Sequence, residues 1–203
     1  MTNTAAVSDR RTELLDAAIH EFIENGFAAV GVREITGRAR VSHGTFYNYF
    51  ESKRQLLSAL IEQEFAVLLS MIPDSKDVSG GSLTESGLRN LVESVSAAVL
   101  TLVSDRIEIY TFLLTEGPGV DDSALNEFID LYYEAARRAG LILQGARDVG
   151  VVTSSIDADF VSQAWISFLV GVIAGMVTGT DNTEPATAAT VLANILLDGL
   201  APT

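Results

Sequence analysis

With 203 residues, 48% of them hydrophobic, the chain has apolar material for one helical domain of ordinary size, or for a small head on a larger body. It contains no cysteine, which excludes disulfides and thiolate metal sites and leaves the cytosol as the default compartment. A net charge of −14 at pH 7 speaks against a polyanionic partner unless the cations are gathered in one place.

Nearly every stretch repeats its apolar residues at helical period, and no Val/Ile/Thr run alternates as a half-buried strand would. The fold class is therefore all-α. Spacing predicts a first helix from about Asp9 to Asn25, with Leu14, Leu15, Ala18, Ile19, Phe22 and Ile23 as one apolar stripe. Ser8 or Asp9 stands where a cap belongs, and Asn25-Gly26 is a stop. A short helix follows over Val32 to Ala39, turning Val32, Ile35 and Ala39 inward; Val30-Gly31 lacks a Thr or Ser cap, which predicts a loose start. The turn Arg40-Val41 leads to Ser42, a capping residue for a third helix, His43 to Tyr49. Ser52 with Gln55 forms a capping box that opens a long helix through Leu56, Leu60, Phe65 and Leu69, ending near Pro73.

Asp74 to Ser82 is polar and contains Ser79-Gly80-Gly81-Ser82, a loop signature. Helical pattern returns over Leu83 to Val103 and Arg106 to Leu114, then breaks at Gly117-Pro118-Gly119. Three more helices are expected: Ser123 to about Arg147, with Gly140 leaving its middle open, then Asp157 to about Thr178 and Thr183 to Leu200. The count is about nine. The polar N-terminus, Met1 to Asp9, has no signal-peptide apolar run. Trp165 to Val177 is apolar over about thirteen residues, short of the roughly 20 that a bilayer span needs. A buried helix and no membrane are expected.

Residues 26–57 carry the most specific signal. Gly26-Phe27 and Val32-Arg33-Glu34-Ile35 precede Ala39-Arg40-Val41-Ser42-His43-Gly44-Thr45-Phe46-Tyr47-Asn48-Tyr49-Phe50-Glu51-Ser52-Lys53-Arg54-Gln55-Leu56-Leu57. If the turn before Ser42 sets the third helix steeply against the second, as in a helix-turn-helix, its N-terminal half fits a major groove about 12 Å wide. Val41 turns inward, and Phe46 and Phe50, at i and i+4, anchor the helix to the first. Gly44 keeps the outer surface low. Thr45 brings a methyl suited to thymine and a hydroxyl, and Tyr47 and Tyr49 bring phenols.

This run resembles the TetR family of repressors over residues 10–57. The resemblance implies an N-terminal three-helix DNA-binding head with a helix-turn-helix, residues 1–51. It also implies a helical ligand-binding and dimerisation body, residues 52–203. His43, Thr45 and Tyr47 match positions that reach bases or phosphates in the family, and Tyr49 and Lys53 match phosphate-contacting positions. Arg33, in the first turn of the second helix, is a further phosphate candidate by our own reading. Each has a plain alternative: Tyr47 as a rim aromatic, Lys53 as a solvated lysine, His43 and Arg33 as ordinary surface groups. Two residues depart from the family pattern. Arg40 stands where glycine is usual, at a turn position that calls for positive φ, and Thr36 replaces an alanine where two helices approach closely.

Charge is distributed to suit such a head. Of 13 basic and 27 acidic residues, seven of each lie in residues 1–54, leaving 6 basic and 20 acidic for the other 149. The acidic remainder reads as a solvated surface, or as one that discourages stray phosphate contacts.

A single head covers few base pairs, so two heads on adjacent grooves about 34–36 Å apart require a homodimer on double-stranded operator DNA. Gly171, Gly175 and Gly179 recur every four residues and, with Val191 and Ile195 of the final helix, are the dimer candidates. Close packing within one chain is the alternative. The family's ligand site lies within the body; Tyr110, Phe112, Trp165 and Phe168 are large enough to line it, or to be plain core. Glu108 or Glu116 has the charge to meet a cationic ligand. An unknown small-molecule effector, cytoplasmic location, no cofactor and no metal complete the expectation, with an activator or a protein-controlled regulator as the alternative. An enzyme is disfavoured, since only two histidines exist and no HExxH, GxSxG, GxGxxG or P-loop pattern occurs.

Overall fold

A computed structural model describes residues 3–74 and 83–198, which form nine α-helices and no strand. The loop expected over Asp74–Ser82, Asp74 apart, and the last turn expected at Leu200 lie outside the described residues. The chain divides into two compact units. The first comprises residues up to Phe65 with Glu108–Glu127, and the second Ala66–Ile107 with the residues from Phe128 onward.

In the first unit, α1 (Asn3–Asn25) begins six residues earlier than the capping signals predict, so Ser8 and Asp9 lie inside it. Of its expected stripe Leu14, Leu15, Ala18, Ile19 and Phe22 are buried, and Ile23 is half-buried. α2 (Val32–Arg38) starts on Gly31, whose N–H is accepted by the Glu34 carboxylate at 3.0 Å. The start is thus held from within the helix, where a loose end was expected; the signal missed was the acid at N3. α3 (His43–Tyr47) is two residues shorter than its pattern, because Asn48 and Tyr49 already turn. α4 (Lys53–Ser70) opens on Ser52, whose hydroxyl accepts from Gln55 N–H at 3.1 Å, while Gln55 Oε1 accepts from Glu51 N–H. α6 (Ile107–Thr115) is followed by one 3-10 turn at Gly117–Gly119. The Phe112 ring then stacks on Phe22 at 5.6 Å.

In the second unit, α5 (Glu85–Asp105) and α9 (Pro185–Leu197) run antiparallel, since Arg89 near the start of one meets Asn194 and Asp198 at the end of the other, each at 2.6 Å. α7 (Asp122–Asp148) runs unbroken through Gly140. A Cβ there would stand 3.2 Å from both Asp159 Oδ1 and Ser162 Oγ of α8 (Ala158–Val177), so this glycine marks close helix approach and is no break. Asp157 caps α8 by accepting from Asp159 and Phe160 N–H. At 20 residues, with mean hydropathy 1.9 over its apolar window, α8 is long and apolar enough to cross a bilayer, so the length expectation is corrected. Its inner face nevertheless packs within the unit: Ala158, Ser162, Trp165, Ile166, Leu169 and Ile173 are buried, and Trp165 Nε1 donates to Ser96 Oγ at 3.0 Å.

Helix ends explain two further residues. α8 stops when Gly179 takes φ +68, with Gly179 N–H on Met176 C=O and Thr180 N–H on Gly175 C=O. Those paired bonds are a Schellman end. Gly179 is therefore a stop residue beyond the helix, and the expected stripe of three helical glycines shrinks to Gly171 and Gly175. Gly175 in turn is closed off by Asp181, whose Cβ lies 2.8 Å from where its own would be. α2 ends by the same motif, with Arg40 N–H on Gly37 C=O and Val41 N–H on Thr36 C=O, but its left-handed residue is Arg40 at φ 54. Among the described residues Arg40 is the sole non-glycine with positive φ. That conformation costs an L-residue about 1–2 kcal/mol. Arg40→Gly recovers this less the roughly 0.4–1 kcal/mol that a freer unfolded chain costs. Thermal unfolding of the variant is expected to rise by about 2–4 °C, from a net gain of about 1 kcal/mol.

Candidate nucleic-acid interface

A five-residue helix cannot hold itself, so its ends and one side must be fixed from outside. At the start of α3 the Ser42 hydroxyl accepts from Thr45 N–H at 3.0 Å and lies 2.8 Å from the Thr45 hydroxyl. On its inner side Phe46 and Phe50 are buried, their rings 5.8 Å apart. The opposite side is left to solvent. Ser42, His43, Gly44 and Tyr47 are exposed, while Thr45 and Tyr49 are half-buried. Tyr47 is 54% exposed, yet its ring is steadied against His43 at 5.6 Å and Phe46 at 5.3 Å. A Cβ on Gly44 would meet only Ser42 Oγ, at 3.8 Å. Folding therefore does not demand glycine there.

The cations of the first unit sort into committed and free. Arg38 bridges Glu21 and Glu24, and the hydrogen bonds with Glu24 and Glu21 raise its pKa above the ordinary arginine value. Arg54 reaches Asp121 at 2.8 Å and Glu127 at 2.9 Å, with Ser58 also donating to Glu127. The Arg54 hydrogen bond, with that from Ala124 N–H, holds the Asp121 carboxyl below the usual range. Arg11 lies over the Phe50 ring, 5.4 Å from its centre. Arg33 and Arg40 are exposed, and among the described residues no carboxylate or side-chain hydrogen bond engages either. Thr36, buried beside them, donates its hydroxyl to Arg33 C=O at 3.1 Å, so an alanine site accepts it without an orphaned polar group.

Lys53 is placed inward. Its ammonium donates to Phe27 C=O at 2.5 Å and Val30 C=O at 2.6 Å and sits 4.1 Å above the Phe27 ring. Burial pushes its pKa below the ordinary lysine value. Two of the three N–H donors are spent, leaving one. The same residue, Phe27, donates its N–H to the Glu116 carboxylate at 3.2 Å. Phe27 is thus clamped on both sides of its backbone. Glu116 serves the α1–α2 turn here, and Glu108 is exposed. Sequence spacing had no access to these partners, since Glu116 lies 89 positions from Phe27.

The aromatic candidates in the body are dispersed. Tyr110 and Phe112 are buried in the first unit, Trp165 is buried in the second, and Phe168 is 41% exposed. Of the dimer candidates, Val191 and Ile195 are 50% and 59% exposed on α9, and a Cβ on Gly171 would meet open space. Among the described residues no cluster of His, Asp or Glu has metal-site geometry.

Residues 14–60 match the profile described as bacterial regulatory proteins, tetR family, and these contain the whole helix-turn-helix just described. The matched residues are the head alone, which is similar to the DNA-binding head of TetR-family regulators. Over 34% of its length the chain is similar to the transposon Tn10 TetC protein of Escherichia coli, 38% identical over 68 residues, a match that spans about a third of that protein (34%). Similarity to the transcriptional repressor KstR2 of Rhodococcus jostii is lower, 26%, but covers 98% of this chain and 95% of that one. The regulator FadR of Bacillus subtilis, solved with stearoyl-CoA, has the same fold: TM-score 0.77 at 16% identity, over 93% of this chain and 98% of that chain.

In this head the Lys53 clamp has a measurable consequence. Lys53→Ala removes two charge-assisted bonds to backbone carbonyls and is expected to lower stability by about 2 kcal/mol. A urea midpoint unchanged from the wild type would show that the ammonium stabilises nothing.

Proposed function

We propose that the chain is a ligand-responsive transcriptional repressor, cytoplasmic, binding a palindromic operator as a homodimer and released by a small molecule. The observation that carries this reading is the outer face of α3, polar and aromatic, exposed, and fixed from behind by Phe46 and Phe50. Residues 1–51 serve as the DNA-binding head, and residues 52–203 as the ligand-binding and dimerisation body. His43, Thr45 and Tyr47 read base edges, Ser42 and Gly44 permit the close approach, and Tyr49, Arg33 and the remaining Lys53 donor meet phosphates. KstR2, similar over its whole length, is named a repressor, which supports that sign of regulation.

Dimerisation places two heads on successive major grooves. The exposed Val191 and Ile195, with the open surface at Gly171, are the proposed contact, since an apolar face of this kind is costly to leave in water. A small molecule held by the body, with Tyr110, Phe112, Trp165 and Phe168 as candidate contacts, shifts the population away from the DNA-competent pair. It releases DNA only by as much as its affinities for the two states differ.

The reading is tested with a duplex selected by the wild-type chain from a randomised library. Tyr47→Ala is expected to keep the helical circular dichroism and lose specific binding at least tenfold; full affinity in that variant would remove α3 from the role of reader. Ile195→Asp, made together with Val191→Asp, is expected to sediment as a monomer, and a dimer of wild-type strength would place the contact elsewhere.

A further inference from the structure

We propose that Arg40 is a phosphate-contacting residue of the head, its guanidinium engaging the duplex backbone beside the start of α3; this rests on the DNA-binding reading above. Three observations converge on it. The residue sits at φ 54 in a helix end for which α8 supplies glycine, and the end of α7 likewise uses Gly150 at φ +76. Its side chain contributes no ion pair or hydrogen bond that would repay the strain within the chain, among the described residues. It is exposed and lies two positions before Ser42, the cap of the helix whose outer face is open.

Charge sorting makes the point sharper. Arg38, two residues earlier, is neutralised by Glu21 and Glu24, and Arg54 by Asp121 and Glu127. Arg40 is left uncompensated in a molecule of net charge −14. Strain maintained at an exposed site, with nothing in the fold gaining from it, marks a site used for something outside the fold. The planar fork of arginine matches two phosphate oxygens, and glycine would give the better turn at the expense of that contact.

The test uses the full chain and the duplex selected by the wild type from a randomised library, titrated by fluorescence anisotropy between about 50 and 200 mM salt. R40G is expected to melt above the wild type yet bind about tenfold more weakly. Its plot of log affinity against log salt flattens by about 0.9 for each head on the duplex. R40K, which keeps the charge, is expected to keep the wild-type salt slope. The proposal is overturned by an R40G that matches the wild type in affinity and slope, by an R40K as flat as R40G, or by weaker binding in an R40G that melts lower, which assigns the effect to folding. A wild-type chain without salt-dependent duplex binding fails the DNA-binding reading itself, a separate outcome.

Discussion

The reading helix is five residues long, and everything it does depends on being held by others. A peptide of that length has no helical stability in water, because the cost of nucleation is not recovered over so few hydrogen bonds. Burial of Phe46 and Phe50 supplies what propensity cannot, and the Ser42 hydroxyl satisfies the end that solvent would otherwise compete for. Because the anchor lies wholly on one side, the other side is released from any duty in folding. Gly44, Tyr47 and His43 are therefore free of packing constraints from the helix's anchor.

That support extends through the turn before α2. Phe27 is gripped at its N–H by Glu116 and at its C=O by Lys53, while Phe22 connects its ring to Phe112. Arg54 adds Asp121 and Glu127. The segment 108–127 thus completes the unit to which α1, α2 and α3 belong, although it is far away in the chain. The α1–α2 turn is thereby tied to this distant segment by the Glu116 carboxylate and the Phe112 ring.

The second unit shows a different economy. Its buried polar atoms are spent in pairs, as in Trp165 with Ser96, and its helix ends are closed by glycines or by Asp157. Yet α9 leaves Val191 and Ile195 largely in water, a cost that a second copy would offset. Two features that look alike in sequence, the glycines of α8, separate on inspection. Gly171 faces open space, whereas Gly179 ends the helix.

Much local chemistry was legible: the nine helices, the Ser42 and Ser52 caps, the burial of Phe46 and Phe50, and the left-handed conformation that the turn demands of Arg40 follow from periodicity and short-range hydrogen bonding, which act within four or five residues, whereas the cap expected at Ser8 or Asp9 and the glycine stripe through Gly179 did not hold. The head was recognisable because its function is written in one contiguous run. What tertiary structure alone decided was the destination of each charge. Lys53 turned in to two carbonyls, Glu116 was taken by a backbone N–H, and Arg38 and Arg54 were neutralised while Arg33 and Arg40 were not. A long side chain bonds whatever the fold brings near it, and the partners here stand up to 89 positions away, beyond the reach of any local pattern.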